Sequence, residues 1–130
     1  MKNTSADEVI ASFESSFTDK HVIPESLEFQ WLKKAIGKFS LELDPLNYDD
    51  EIMMFDCKLE QYVIDTLAAF MKQFYQERQV SLVNKRIRIV GKDISIGESD
   101  NSKKYTQDEL TYSKNEVSQM VNFQKPTALL

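Results

Sequence analysis

Between Asp49 and Asn84 apolar side chains recur at helical spacing over a longer stretch than anywhere else in the chain, and this periodicity constrains the fold most. Leu59, Val63, Leu67, Phe70 and Phe74 form one apolar row, and Ile64, Ala68, Met71 and Tyr75 a second. Lys58, Gln61, Asp65, Lys72, Gln76 and Gln79 leave only a narrow polar stripe. A helix apolar over most of its circumference is buried on several sides. Asn47 is the expected N-cap, and Asp49, Asp50 and Glu51 in the next turn would be favoured by the helix dipole. Running from about Asp49 to Asn84, such a helix spans roughly 50 Å at 1.5 Å per residue. In a chain of 130 residues the other helices cannot cover all of it, so part of its apolar surface is expected to meet another subunit. The alternative is a monomer in which three neighbouring helices wrap it.

The flanking segments also read as helices. Ser5-Ala6-Asp7-Glu8 is a capping box, followed by Val9, Ile10, Phe13 and Phe17 on one apolar side, with a break around Asp19 to Ile23. Pro24 suits the first turn of a second helix. Leu27, Trp31 and Ala35 form one of its rows and Phe29, Leu32, Ile36 and Phe39 the other, with an end near Ser40 ahead of Leu43-Asp44-Pro45. Beyond Asn84, Ile87 to Gly97 alternates on either side of Gly91-Lys92-Asp93 and reads as a β-hairpin or extended loop, followed by a breaker-rich, mobile stretch over residues 97–102. Thr106-Gln107-Asp108-Glu109 is a second capping box, although the helix can begin as early as Ser102. Leu110, Val117, Met120 and Val121 give that last helix its apolar side, and Pro126 stops it before the apolar tail Thr127-Ala128-Leu129-Leu130. The expectation is one mainly α domain over residues 1–130: an N-terminal helix and loop (1–23), core helices (24–84), a hairpin or flexible loop (85–103), a last helix (104–124) and a tail (125–130). With three Gly and three Pro, a sandwich or barrel of many short strands is disfavoured.

No catalytic or metal-binding arrangement emerges. His21 is the only histidine, so there is neither a second imidazole for zinc nor a partner for a nucleophilic triad. Cys57, the one cysteine, sits among Met53, Met54 and Phe55 and reads as a buried structural thiol, because no basic neighbour would generate its thiolate. Asp49, Asp50, Glu51 and Asp56 lack the ligand spacing and glycine of a calcium loop. Gly91-Lys92-Asp93 lacks the upstream glycine of a phosphate loop, and Asp93 stands where a hydroxyl would ligate magnesium. No cofactor, metal or enzymatic activity is therefore expected. No apolar run is long enough to span a membrane, and the N-terminal residues do not read as a signal peptide, so the protein is expected inside a cell and off the membrane.

Charge is distributed unevenly. Residues 1–65 carry 14 acidic and 6 basic side chains, and residues 66–130 carry 7 and 10, so the halves are about −8 and +3. Head-to-tail self-association would follow from this, and solvated faces of unequal sign are the alternative. Arg78, Lys85, Arg86, Arg88 and Lys92 gather a basic patch, suited to DNA phosphates or to the acidic surface of a protein partner. The overall pI of about 4.9 disfavours dedicated DNA binding.

Taken together, Tyr48-Asp49-Asp50-Glu51-Ile52, Ile64-Asp65-Thr66-Leu67-Ala68 through Phe74-Tyr75-Gln76-Glu77-Arg78, Gly91-Lys92-Asp93-Ile94-Ser95 and Ser102-Lys103-Lys104-Tyr105 resemble a small structural protein of tailed bacteriophages of Gram-positive hosts. The layout over residues 25–127 is similar to that of head–tail connector (adaptor or neck) proteins. The resemblance implies a homomeric ring in the neck of the virion, assembled in the host bacterial cytoplasm. It would dock on the portal protein, contact other neck or tail proteins, and line the channel through which DNA passes without sequence-specific binding. Thr127, Leu129 and Leu130 would insert into a groove on the portal, and Arg78, Lys85, Arg86, Arg88 and Lys92 would contact partners. A competing reading is a small acidic helical binding or regulatory protein, such as a phage-encoded inhibitor of a host protein.

Overall fold

The computed structural model describes residues 2–17, 22–90 and 97–125, with side chains for residues 2–17, 22–85 and 103–125. Its elements are α1 (Ala6–Ser15), α2 (Glu25–Glu42), β1 (Tyr48–Asp49), β2 (Met54–Phe55), α3 (Gln61–Val90) and α4 (Gly97–Gln124). The architecture is a mainly α bundle around one long central helix, α3, with a short β-hairpin earlier in the chain than the last helix.

The helix starts follow local chemistry. The Ser5 N–H donates to the Glu8 carboxylate at 2.8 Å, one arm of the capping box that opens α1. At α2 the Pro24 carbonyl accepts from the Leu27 and Glu28 amides, so Pro24 is the N-cap and the first helical residue is Glu25. Val9, Phe13, Leu32, Ala35, Leu67 and Met71 are fully enclosed, and Phe39, Phe70, Val117 and Val121 pack around them. Edge-to-face contacts tie three helices together: Phe13 with Trp31, Phe17 with Tyr75, and Trp31 with Tyr75 at 6.4 Å between ring centroids. Such pairs add about 0.5–1.5 kcal/mol each beyond the area they bury.

The long helix does not begin at Asp49. Asp49 belongs to β1, and its Oδ1 accepts from the Glu51 N–H at 2.9 Å, so its side chain drives a turn in place of capping a helix. Met53 then takes φ = 54°, a left-handed conformation that helical backbone excludes. The turn returns the chain as β2, antiparallel to β1 with Tyr48 opposite Phe55. A third strand-like segment decides the matter. Residues 4–6 pair with the outer edge of β2 through Thr4 N–H to Cys57 O, Phe55 N–H to Thr4 O and Ala6 N–H to Met53 O. Asn47 accordingly caps nothing helical; its side-chain amide donates to Asp56.

The other end of the long helix differs as well. Ile87–Val90 alternate in sequence but continue α3 as helix, and α4 begins at Gly97, so residues 85–90 and 97–103 are helical where a hairpin or mobile loop was expected. Thr106 lies inside α4 and is not its cap. Residues 91–96, which include Gly91, Lys92 and Asp93, lie outside the described residues, as does His21.

α4 runs antiparallel to α3 and packs along it more extensively than α1 or α2 does. This alters the argument about cover. Leu67, Phe70, Met71 and Tyr75 are all at most 5% exposed, and among the described side chains of α3 only Tyr62 and Leu82 are exposed large apolar residues. α1, α2 and α4 together cover most of the apolar surface of α3 over its described side chains, leaving the side between α2 and α4 open. Gln76, expected on the polar stripe, is buried for the same reason.

Candidate functional site

The open side of the bundle lies between α2 and α4. Both pack on α3 but scarcely meet each other, which leaves a groove with α3 as its floor. Its lower part has a volume of about 760 Å³. Leu59, Val63 and Thr66 form the floor, Phe39, Leu43 and Leu46 one wall, and Met120, Phe123 and Gln124 the other, with Asp44, Lys58, Glu60 and Asp65 also lining it. Gln124 fixes the end of α4 there by donating to Thr66 Oγ1 at 2.6 Å. Phe123 is 86% exposed, so the wall offers an aromatic ring to whatever enters.

A separate recess formed by the same three helices is cationic. Lys38 on α2, Lys114 on α4 and Lys125 just past it surround a recess of about 360 Å³, with Glu42 the one acid among its lining residues. Lys38 also stands 5.7 and 5.4 Å over the rings of Phe70 and Phe74, a cation–π placement that holds the ammonium over the apolar floor. The bundle thus carries a largely apolar groove edged by acids and, apart from it, a lysine-lined recess.

A second surface has the opposite chemistry. The hairpin tip exposes Ile52 and Met53, 64% and 47% accessible, beside the exposed carboxylates of Asp49, Asp50 and Glu51. Asp50 pairs with Lys33 of α2 at 2.6 Å. The Tyr48 phenol is pushed above its ordinary value, first by burial and then by the negative charge of Asp50, Asp7 and Asp49.

Cys57 is exposed, which corrects the expectation of a buried thiol. It occupies the bend that leads from β2 to α3, at the rim of the apolar groove, because the hairpin stands where helix was expected. Its thiol is held above its ordinary value by desolvation, and then by the hydrogen bond and charge of Asp56. At neutral pH it is a protonated thiol and a poor nucleophile.

Of the expected partner-contact residues, Arg78 and Lys85 are exposed on α3, seven residues and thus two turns apart on one face. Arg86 and Arg88 lie on helical backbone, with side chains outside the described residues; Lys92, Thr127, Leu129 and Leu130 lie wholly outside them. The lysines that the fold does bring together, Lys38, Lys114 and Lys125, come from separated stretches, and no local signal in the sequence joins them. Among the described residues no group of three acids, histidines or cysteines is placed to hold a metal ion, and no helix is long and apolar enough to cross a membrane.

No protein-family model, curated protein or solved structure matches this chain.

Proposed function

We propose that this chain is a structural protein of a phage virion, forming an oligomeric ring in the head–tail connector that docks on the portal protein and lines the DNA channel. The observation that carries the reading is the side of the bundle left open between α2 and α4, which holds a largely apolar groove and, separately, a lysine-lined recess, neither filled by a described segment. An exposed aromatic such as Phe123 at the groove's edge suits contact with a protein partner. The uneven charge of the two halves favours association of unlike surfaces, as a closed ring of identical subunits requires. In this reading the segment Thr127-Ala128-Leu129-Leu130 reaches the portal, neighbouring neck or tail proteins stack on the ring, and DNA passes through without sequence-specific contact. The assembly forms in the bacterial cytoplasm and ends in the virion neck.

The test is electron microscopy of the purified protein, alone and mixed with the proteins encoded beside its gene. Rings seated on the portal protein are the expected result; free monomers that ignore every neighbour would overturn it. Removing residues 126–130 should leave the melting curve intact and abolish docking. Normal docking by the truncated chain would refute the role given to the tail. Capture of a single host protein, with no ring, would favour an acidic regulatory protein instead.

A further inference from the structure

Three exposed rings of α4 fall on one line. Tyr105, Tyr112 and Phe123 are 70%, 64% and 86% accessible. Their spacings of seven and eleven residues put them within about 20° of one another around the helix, over a length of roughly 27 Å. Glu109 and Glu116, both half-buried, stand within about 40° of the same line, and exposed Asp108 flanks it. Among the described side chains of α4 no lysine shares that edge.

Each ring has a lysine two residues away: Lys103 for Tyr105, Lys114 for Tyr112 and Lys125 for Phe123. Two residues turn a helix by about 200°, so these exposed lysines form a second line on the opposite edge, with no acid of α4 among them. Lys125, just past the last helical residue, keeps the turn through its amide bond to the Val121 carbonyl. Ser113, Val117 and Val121 are buried between the two lines, where α4 meets α3. The surroundings carry the same division. Phe123 borders the groove that Asp44, Glu60 and Asp65 edge with Lys58, whereas Lys114 and Lys125 border the recess with Lys38 and a single acid, Glu42.

The two edges match in spacing as well as in charge. Tyr112 and Phe123 are eleven residues apart, as are Lys114 and Lys125, which is about 16 Å along the helix in each case. Lysines already lie over rings within this chain, Lys38 over Phe70 and Phe74, and Lys72 over Phe17 at 5.4 Å.

We infer that neighbouring copies of this chain pack side by side with their α4 helices parallel, the aromatic edge of one against the lysine edge of the next. Lys114 lies over Tyr112 and Lys125 over Phe123, while Glu109 and Glu116 balance the ammonium charge. The stagger is two residues, about 3 Å, which a lysine side chain spans. A two-fold pair would set like edges together, acid against acid or lysine against lysine, and is disfavoured. The contact is therefore heterologous. A copy that receives a neighbour on one edge keeps the other edge free, and the series closes into a ring when the rotation per step divides a full turn. This rests on the ring reading above and names the edges that would build it.

The test uses two variants of the full chain, altered only at exposed residues so that folding is spared. Tyr112→Asp with Phe123→Asp disables the aromatic edge; Lys114→Glu with Lys125→Glu disables the lysine edge. The single changes Phe123→Asp and Lys125→Glu replace either pair if it melts early. By sedimentation at rising concentration the wild type should self-associate, and each variant alone should associate about 30-fold more weakly or worse, the loss expected of a central interface anchor. Mixed together, the two should form a one-to-one dimer that grows no further, because the intact edges meet and the altered edges, both acidic, repel. Self-association of either variant at wild-type strength, failure of the mixture to pair, or a wild type that stays monomeric at every concentration would each overturn the contact. Microscopy with the neighbouring gene products separates this from the ring proposal. Pairing of the mixture, with no wild-type rings on the portal protein, supports the contact and overturns the connector reading. Rings built by each variant alone overturn the contact and leave the connector reading standing.

Discussion

Replacing Thr4 by valine should destabilise the fold. Thr4 is 2% exposed, and its Oγ1 accepts from the Leu59 N–H at 2.8 Å in a buried setting just ahead of α3. Valine is nearly isosteric and favours extended backbone, so the strand-like pairing of residues 4–6 is retained and no cavity opens. What is lost is the acceptor. An orphaned buried amide costs about 1–3 kcal/mol. At roughly 2.1 cal/mol/K per residue, a chain of this length has an unfolding entropy near 0.27 kcal/mol/K, so the melting temperature should fall by about 4–11 °C. Thr4→Ser is the control: it keeps the oxygen and loses one methyl group, worth about 1 kcal/mol. Thermal unfolding followed by circular dichroism at 222 nm, with urea titration to confirm an unchanged slope, measures both. If Thr4→Val proves as stable as the wild type, or the serine variant is the weaker of the two, the hydroxyl does not hold this junction.

Asp50→Asn should change stability by less than about 0.5 kcal/mol in chemical denaturation, since Asp50 and Lys33 are both more than half exposed in their ion pair. Met53→Gly should leave the fold as stable or make it up to ~1 kcal/mol more stable, because it relieves a left-handed side-chain-bearing residue; a clear loss would mean the Met53 side chain supports the monomer. Cys57 should react fully with a thiol reagent in the native state. Its rate should be low at pH 7 and keep climbing above the ordinary thiol range, because the raised value moves thiolate formation to higher pH. A rate already at its plateau at neutral pH would contradict this. Reversing Arg86 and Arg88 to Glu tests the basic end of α3: weaker docking or poorer DNA retention marks a contact, and unchanged assembly assigns both to solvent.

The parts of the fold legible in the sequence were those set by contacts a few residues apart. The Ser5 to Glu8 capping box, the apolar spacing of Val9 and Phe13, and the two rows of α2 depend on nearest turns, and the structure has them. The stretch from Asn47 to Phe55 failed because its fate is decided elsewhere. Its apolar residues fall in phase with the helix that follows, and only pairing with residues 4–6, some fifty positions away, makes it a hairpin edge. At the start of α4 the opposite occurred: residues 97–102 are rich in breakers, yet they extend a helix that lies along α3. The candidate groove was illegible for a related reason. Phe39 and Val63 read as core positions in their own helices and Phe123 belongs to no apolar row, and only the gap between α2 and α4 brings the three to one surface.

The tie between Thr4 and residues 57–59 also orders events in time. α1 has ten residues, too few to persist alone, and its anchor is the far edge of β2 together with the amide of Leu59. During synthesis α1 must therefore wait, unanchored, until the chain through Leu59 has left the ribosome. It is made some fifty residues ahead of the partners that hold it in place.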